Sequence, residues 1–539
     1  MGRLALALAL IAAGAAMFAA AGQTGRSARN GGVFRYGTTG VSVQIDPQQG
    51  YITLAWWLEY ATALKLVNWP DRPDPAGTRL VLEAASSVAV SNRGKTYTFV
   101  IRKGLRFSDG SPVTPQSFAY AIDRTANKQL ASPGAAFITD PNGTNIVGAK
   151  KVNNGHARHV SGVTARGYRL VIRLTRPDGS FLSKLTFPFF QATSTKVPLD
   201  REVASAYPSA GPYAISKHVP DSQTELRRNR YYRGPRPRHL AGLDVRWNLN
   251  EQSGFEQVLN NQLDEGPLPL SEIADVATRF GVNKTRFWAK PQNCIGWLLF
   301  NNKHGLFKDN IPMRKAVNWA LNRKAYTSEA GPHAASPWTH LLPPGSPGSI
   351  GTRKLQPFSP GPDLAKAKRL AKGHFKDGKV TIAYWSRGTI IPAQAEDVRR
   401  DLIRLGFRPG SISMRPYYCE FGPCLGTDWD VIAGGGWCTD YPDPYAVLVT
   451  FPTANPFADY PSLASAKYTA KIRAAARLVG NKRLRVFGKL DLEIMNTLAP
   501  VAVTRTYNNR YLFSNRVDPR SLVYSGVYGD WSIPELALK

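Results

Sequence analysis

One stretch of this 539-residue chain gathers groups that could do chemistry: Gly434-Gly-Gly-Trp-Cys-Thr-Asp-Tyr-Pro-Asp-Pro444. Asp440 sets a carboxylate between two aromatic residues, Trp437 and Tyr441. A carboxylate so placed can pair with a cation stripped of water, which needs a fixed opposite charge. The aromatic faces can line side-chain pockets or stack on a cation. Gly434, Gly435 and Gly436 carry no Cβ, so main-chain groups there can approach an extended ligand and bond it as an added strand would. Asp443, between two prolines, reads instead as a turn residue. Arg387, in Ala383-Tyr-Trp-Ser-Arg387, offers a planar fork that suits a carboxylate.

This is the chemistry of recognition. The sequence has no Gly-x-Ser-x-Gly elbow, no His-Glu-x-x-His pair and no glycine-rich phosphate loop ending in Lys-Ser/Thr, so no catalytic residue is expected and the chain is not read as an enzyme. His156 and His159 are close but sit in a Gly/Asn-rich stretch that reads as a surface turn, so no metal is expected there, and no cofactor elsewhere. The four cysteines are Cys294, Cys419, Cys424 and Cys438. An even count in an exported chain reads as disulfides, and four cysteines allow three pairings among which sequence alone does not choose. A four-thiolate zinc site is the rival, but only Cys419 and Cys424 are close in sequence.

Export is expected from the N-terminus. Arg3 precedes an apolar run from Leu4 to Ala21, and Ala19-Ala-Ala-Gly22 resembles a cleavage site. Residues 1–21 therefore read as a signal peptide and 22–30 as a polar linker, with a retained anchor as the alternative. No cysteine lies near this site, which argues against a lipid anchor there. The net charge is +31, yet the basic residues are spread along the chain with no block of five or more. That pattern reads as a solvated basic surface facing an anionic envelope and not as a nucleic-acid interface.

The elements that must position these groups alternate between strand and helix, which makes the class α/β. Tyr97, Phe99 and Ile101 share one face of a half-buried strand over 96–102, and Tyr168–Leu174 alternates likewise. Thr114 caps a helix with Pro115 at its first position, running to Arg124. Further helices are expected over Trp56–Leu66, Met313–Tyr326, Asp363–Ala371 and Ala393–Leu405, the last stopped by Gly406. Strands are expected at 31–37, 380–384 and 431–433. The Pro-, Gly- and Ser-rich stretch 332–361 reads as a long surface loop.

Four separated segments, in order, resemble the oligopeptide/dipeptide-binding family of bacterial solute-binding proteins. The first is Thr96-Tyr-Thr-Phe-Val-Ile-Arg-Lys-Gly-Leu-Arg-Phe-Ser-Asp-Gly-Ser-Pro-Val-Thr114 with Phe118-Ala-Tyr-Ala-Ile-Asp-Arg124. The second is Gly211-Pro-Tyr213 with Leu226-Arg-Arg-Asn-Arg-Tyr-Tyr-Arg-Gly234. The third comprises Phe300-Asn-Asn302, Leu306-Phe-Lys-Asp309 and Met313-Arg-Lys-Ala-Val-Asn-Trp-Ala-Leu-Asn-Arg323; the fourth is Asp430 to Pro444. Ser209-Ala210 stands where the family usually has Gly-Thr, Arg230 replaces a usual Pro, and Asn322 replaces a usual Asp.

The resemblance implies a hinged, two-lobed periplasmic-binding-protein fold of the type II kind, with an additional domain inserted in the N-terminal lobe. Its expected boundaries are 31–75, 196–290 and 508–539 for lobe I, 76–195 for the extra domain, and 291–507 for lobe II. It further implies a monomer that captures a short peptide in a closing cleft and presents it to the permease and ATPase subunits of an ABC importer, without nucleic acid. The same fold can bind an oligosaccharide, a nickel chelate or haem, or act as a ligand sensor. By resemblance Asp440 pairs with the ligand's α-ammonium, Arg387 receives its carboxylate, and Trp437, Tyr441, Gly435 and Gly436 line the site. The family also places a bridge at positions matching Cys294 and Cys438, which leaves Cys419 with Cys424.

Overall fold

The computed structural model describes residues 31–73, 76–141, 143–351, 355–386, 388–417, 428–450, 463 and 465–539. Residues 1–30, Arg387, Cys419 and Cys424 lie outside them. The chain divides into two compact units: Met1–Pro267 with Leu512–Ser525 and Trp531–Lys539, and Leu268–Tyr511 with Gly526–Asp530.

The first unit holds two four-stranded sheets. One joins β1 (Val33–Gly37) to three later strands, β6 (Tyr213–Val219), β7 (Gln223–Arg228) and β8 (Gly242–Arg246), in the order β1-β8-β7-β6. Only its β1–β8 pairing is parallel. The other comes wholly from residues 85–173: β2 (Ala85–Ser91), β3 (Thr96–Ile101), β4 (Val163–Arg166) and β5 (Arg169–Arg173), ordered β2-β3-β5-β4 and antiparallel throughout. As the alternation predicts, Tyr97, Phe99 and Ile101 are buried. Helix α2 (Pro115–Ala126) packs on β4 and β5, and it starts where expected, with the Thr114 N–H donating to Ser117 Oγ at 3.2 Å. Its Arg124 is fully buried and meets Asp46 with both terminal nitrogens at 2.6 Å. Such a buried pair is costly to break from one side, on the order of 3–5 kcal/mol.

The second unit is built on a six-stranded mixed sheet. Its strands are β9 (Phe287–Phe300), β10 (Ala335–Pro337), β11 (Val380–Trp385), β12 (Ile412–Tyr417), β13 (Val431–Cys438) and β14 (Val501–Leu512), in the order β10-β14-β9-β13-β11-β12. Apolar side chains leave both faces of this sheet. Leu298, Phe300, Val431, Ala433, Val380 and Ile382 meet helices α3 (Ile311–Ala320) and α6 (Ile390–Leu405). Ile295, Trp297, Leu299, Ile432 and Ala383 meet α8 (Ala466–Ala476) and α9 (Gly480–Thr497). The result is a three-layer α/β sandwich.

Four sequence expectations need correction. The helix expected over 56–66 is α1, Thr53–Thr62. It stops early because Lys65 is taken in extended form, its N–H donating to Glu83 Oε2 at 2.9 Å and its carbonyl accepting from Ala84 N. The single helix expected over 313–326 is two, α3 and α4 (Arg323–Ser328). Asn322 breaks it: its N–H turns to Asp401 and its side chain caps α4 by accepting from Ala325 N at 3.2 Å. Residues 332–361 are not a surface loop throughout. They contain β10, and Thr339 and His340 are fully buried, with His340 Nδ1 2.8 Å from Asp491 Oδ2. The strand expected over 431–433 runs on to Cys438, so the glycines lie within it.

Candidate functional site

Strand β13 changes character halfway along. Val431 and Ile432 pair on one side with β9, and Val431, Ile432 and Ala433 pair on the other with β11. Trp297 then stands opposite Gly435, but Leu299 stands opposite Ile432, so β13 holds one residue more than β9 across the same span. That is a β-bulge, and Gly434 sits in it with φ +87°, a conformation that favours glycine. A Cβ there would stand 2.6 Å from Ile391 Cγ2. The Gly434 N–H donates instead to the Tyr326 hydroxyl at 3.1 Å. Burial pushes that hydroxyl up to about 12, so it keeps its proton at neutral pH.

Beyond the bulge the strand continues along β9. Gly435 faces Trp297, Gly436 faces Gly296, Trp437 faces Ile295 and Cys438 faces Cys294. The last pair is a disulfide, as the family resemblance implied. Trp437 is half-buried against the core that holds Ile295 and Trp297. The Thr439 N–H donates to the Asn293 carbonyl at 2.8 Å, which holds the strand end. Asp440, half-buried, follows directly, and Tyr441 after it is buried.

Asp443 is engaged within the second unit. It caps α7 (Pro444–Leu448) by accepting from Tyr445 N at 2.9 Å, and it forms a buried two-point pair with Arg483 at 2.5 and 2.7 Å. Arg387 lies outside the described residues.

Around the glycines stands a group that the sequence patterns did not single out. A Cβ on Gly296 would lie 2.7 Å from the Tyr507 hydroxyl and 3.0 Å from Arg505 Nε. A Cβ on Gly436 would lie 2.8 Å from the same hydroxyl. Arg505, on β14, lies over the rings of Tyr326 and Tyr507 at 5.3 and 4.6 Å from their centroids. Its Nη2 donates to the Tyr507 hydroxyl at 3.2 Å. The available signal was an arginine following the apolar run Val501-Ala-Val, where a strand enters the core. The arrangement joins bare strand backbone, a carboxylate at the strand's end and a buried guanidinium, which is equipment for holding a polar ligand.

The fold is that of two-lobed solute-binding proteins. It matches the solved structure of clavulanic acid biosynthesis oligopeptide binding protein 2 with a TM-score of 0.81 over 95% of this chain and 96% of that one, at 18% identity. The murein tripeptide binding protein MppA of Escherichia coli matches with a TM-score of 0.73, covering 95% of this chain and 99% of that one, at 19% identity. The family model for bacterial extracellular solute-binding proteins, family 5, matches residues 79–459, and the chain belongs to that family of solute-binding proteins. Among curated relatives, the oligopeptide-binding protein OppA of Bacillus subtilis is 24% identical over 267 residues, so that match spans about half of each protein, 48% of either. The dipeptide-binding protein of Escherichia coli is 23% identical over 462 residues, 79% of this chain and 81% of that one. Among the described residues no helix is long and apolar enough to cross a membrane.

Proposed function

We propose that this protein is the extracytoplasmic capture component of an ABC importer, and that it binds short peptides with the 434–441 segment of its second unit. Asp440 takes the ligand's α-ammonium, and the backbone of Gly435 and Gly436 runs alongside the extended ligand. Family membership over 79–459, with relatives named for oligopeptides and dipeptides, supports the peptide class. The observation that carries the site is the glycine strand itself: β13 lays the bare backbone of Gly435 and Gly436 along β9, and the Asp440 carboxylate follows directly at its end.

Capture works by closure: a ligand that touches both units only in the closed form biases the hinge by that difference in affinity. The permease and its ATPases then recognise the closed, loaded monomer. The extra domain falls at 76–195, the stretch that contains the sheet β2-β3-β5-β4.

The test is native mass spectrometry of the purified protein, followed by denaturing release of the bound solute. A short peptide is expected, lost in Asp440→Ala by about 30-fold or more, since removing one partner of a buried charge pair costs 2–5 kcal/mol. An oligosaccharide, metal chelate or haem in its place would overturn the peptide assignment. Small-angle scattering provides a second check, with compaction expected on saturation and an unchanged radius of gyration counting against closure.

A further inference from the structure

Buried arginines in the second unit are ordinarily satisfied by the chain itself. Arg314 donates to the carbonyls of Leu498 and Phe307 and to Asn302 Oδ1. Arg323 donates to the carbonyls of Val503, Asn318 and Ser359, and to Asn318 Oδ1. Arg483 has Asp443. Arg505 differs. It is 5% exposed, yet among the described residues its Nε and Nη1 meet no acceptor and no carboxylate pairs with it. Around it stand two tyrosine rings and one tyrosine hydroxyl, with Gly296 against Arg505 itself and Gly436 against that hydroxyl. The outer of those glycines, Gly436, is exposed, and the Tyr507 hydroxyl that binds Arg505 lies directly under it.

A guanidinium cannot shed its charge by deprotonating at physiological pH, so burying it without an anion is costly. The tyrosines offset part of that cost, since their ring faces attract a cation, but they supply no negative charge. Nε–H and Nη1–H lie on the two edges through which a guanidinium meets a carboxylate. We infer that Arg505 is the carboxylate-receiving residue of the binding site, and that the ligand carries a carboxylate which completes the Arg505–Tyr507 pair when it lies along Gly436. The inference rests on the peptide assignment above and adds which end or side chain of the peptide is read, and by which residue. It also moves that role away from Arg387.

The probe is a random tripeptide library offered as free acids and as C-terminal amides in equal amounts, with the retained members counted by native mass spectrometry. The wild type should keep free acids over amides by about 30-fold or more, the usual loss when one partner of a desolvated charge pair is removed. Arg505→Gln should bring that ratio close to one, and Arg505→Lys, which keeps the charge but loses the fork, should lie between. Arg387→Gln should leave the ratio unchanged. Equal retention of acids and amides by the wild type overturns the inference and leaves the peptide assignment standing. A preference that survives both Arg505 variants, or that vanishes in Arg387→Gln, also overturns it. A wild type that retains no peptide of either kind overturns the assignment and the inference together. A readout free of ligand accompanies these: because Arg505→Gln removes an unmatched buried charge, the empty variant should melt at or above the wild type, and a lower melting temperature would mark Arg505 as a structural residue.

Discussion

Asp401 shows how a single carboxylate can bias the whole second unit. It is 4% exposed on α6, accepts from the Asn322 N–H at 2.7 Å and lies 3.2 Å from Arg404 Nη1. Burial, with Asp397 nearby, outweighs these contacts and pushes its carboxyl up to about 6. The unfolded value is about 3.9, so between pH ~4 and ~6 the folded chain holds a proton that the unfolded chain has released. This group's stabilising contribution is therefore present at low pH and lost as pH rises through ~6. Asp401→Asn keeps an acceptor for Asn322 and should be more stable than the wild type at pH 7, by about 1–3 kcal/mol, with the gain fading toward pH 4. Denaturant titrations at the two pH values check it, and an equal effect at both would refute the assignment. At this scale the sequence was legible where a residue acts within its own segment. Asp440 and the glycines were visible in one motif. Arg505 was not, because what makes it unusual is the absence of partners in space, and Asp443 acquires its main role from Arg483, forty positions away.

Among the elements, β13 is the one whose detail decides the site. Its bulge lets Ile432 and Trp437, five positions apart, pack on the same core, although strict alternation would place them on opposite faces. Gly434→Ala must adopt φ +87° with a Cβ against Ile391, so a loss of about 1–3 kcal/mol is expected in denaturant unfolding. Gly435→Ala keeps an ordinary backbone and crowds the indole edge of Trp297, with that residue's carbonyl at ordinary contact distance, so its loss should be smaller. Equal losses would argue against the bulge. Periodicity found β3 and α6, and capping residues found α2. It missed the break between α3 and α4 because the apolar pattern continues across Leu321 while the backbone turns to reach Asp401. It also misjudged residues 332–361, whose loop-like composition conceals a strand and a histidine buried against Asp491.

For the whole molecule, the fold class was legible because family-like segments are scattered across both units, whereas the group around Arg505 was not, since β9, β13 and β14 bring together Gly296, Gly436 and Arg505 from well-separated stretches of the chain. The bridge between Cys294 and Cys438 closes a loop of 144 residues. Chain-entropy reasoning values such a cross-link at about 5 kcal/mol at most, with about 2–4 typical. The double variant Cys294→Ser/Cys438→Ser should therefore melt several degrees lower, with the loss appearing in the stability of the second unit, and an unchanged melting temperature would show that the strand pairing suffices alone.

The same bridge has a consequence for how this segment can change length. Phe300 opposite Val431 and Cys294 opposite Cys438 are two fixed pins, with seven residues between and including them on one strand and eight on the other. A substitution between the pins, whatever it costs in packing, leaves the pairing in step, but losing a single codon from the glycine triplet would leave the sulfurs out of step. In a gene drifting toward a new ligand, this stretch should accumulate replacements and resist insertions and deletions.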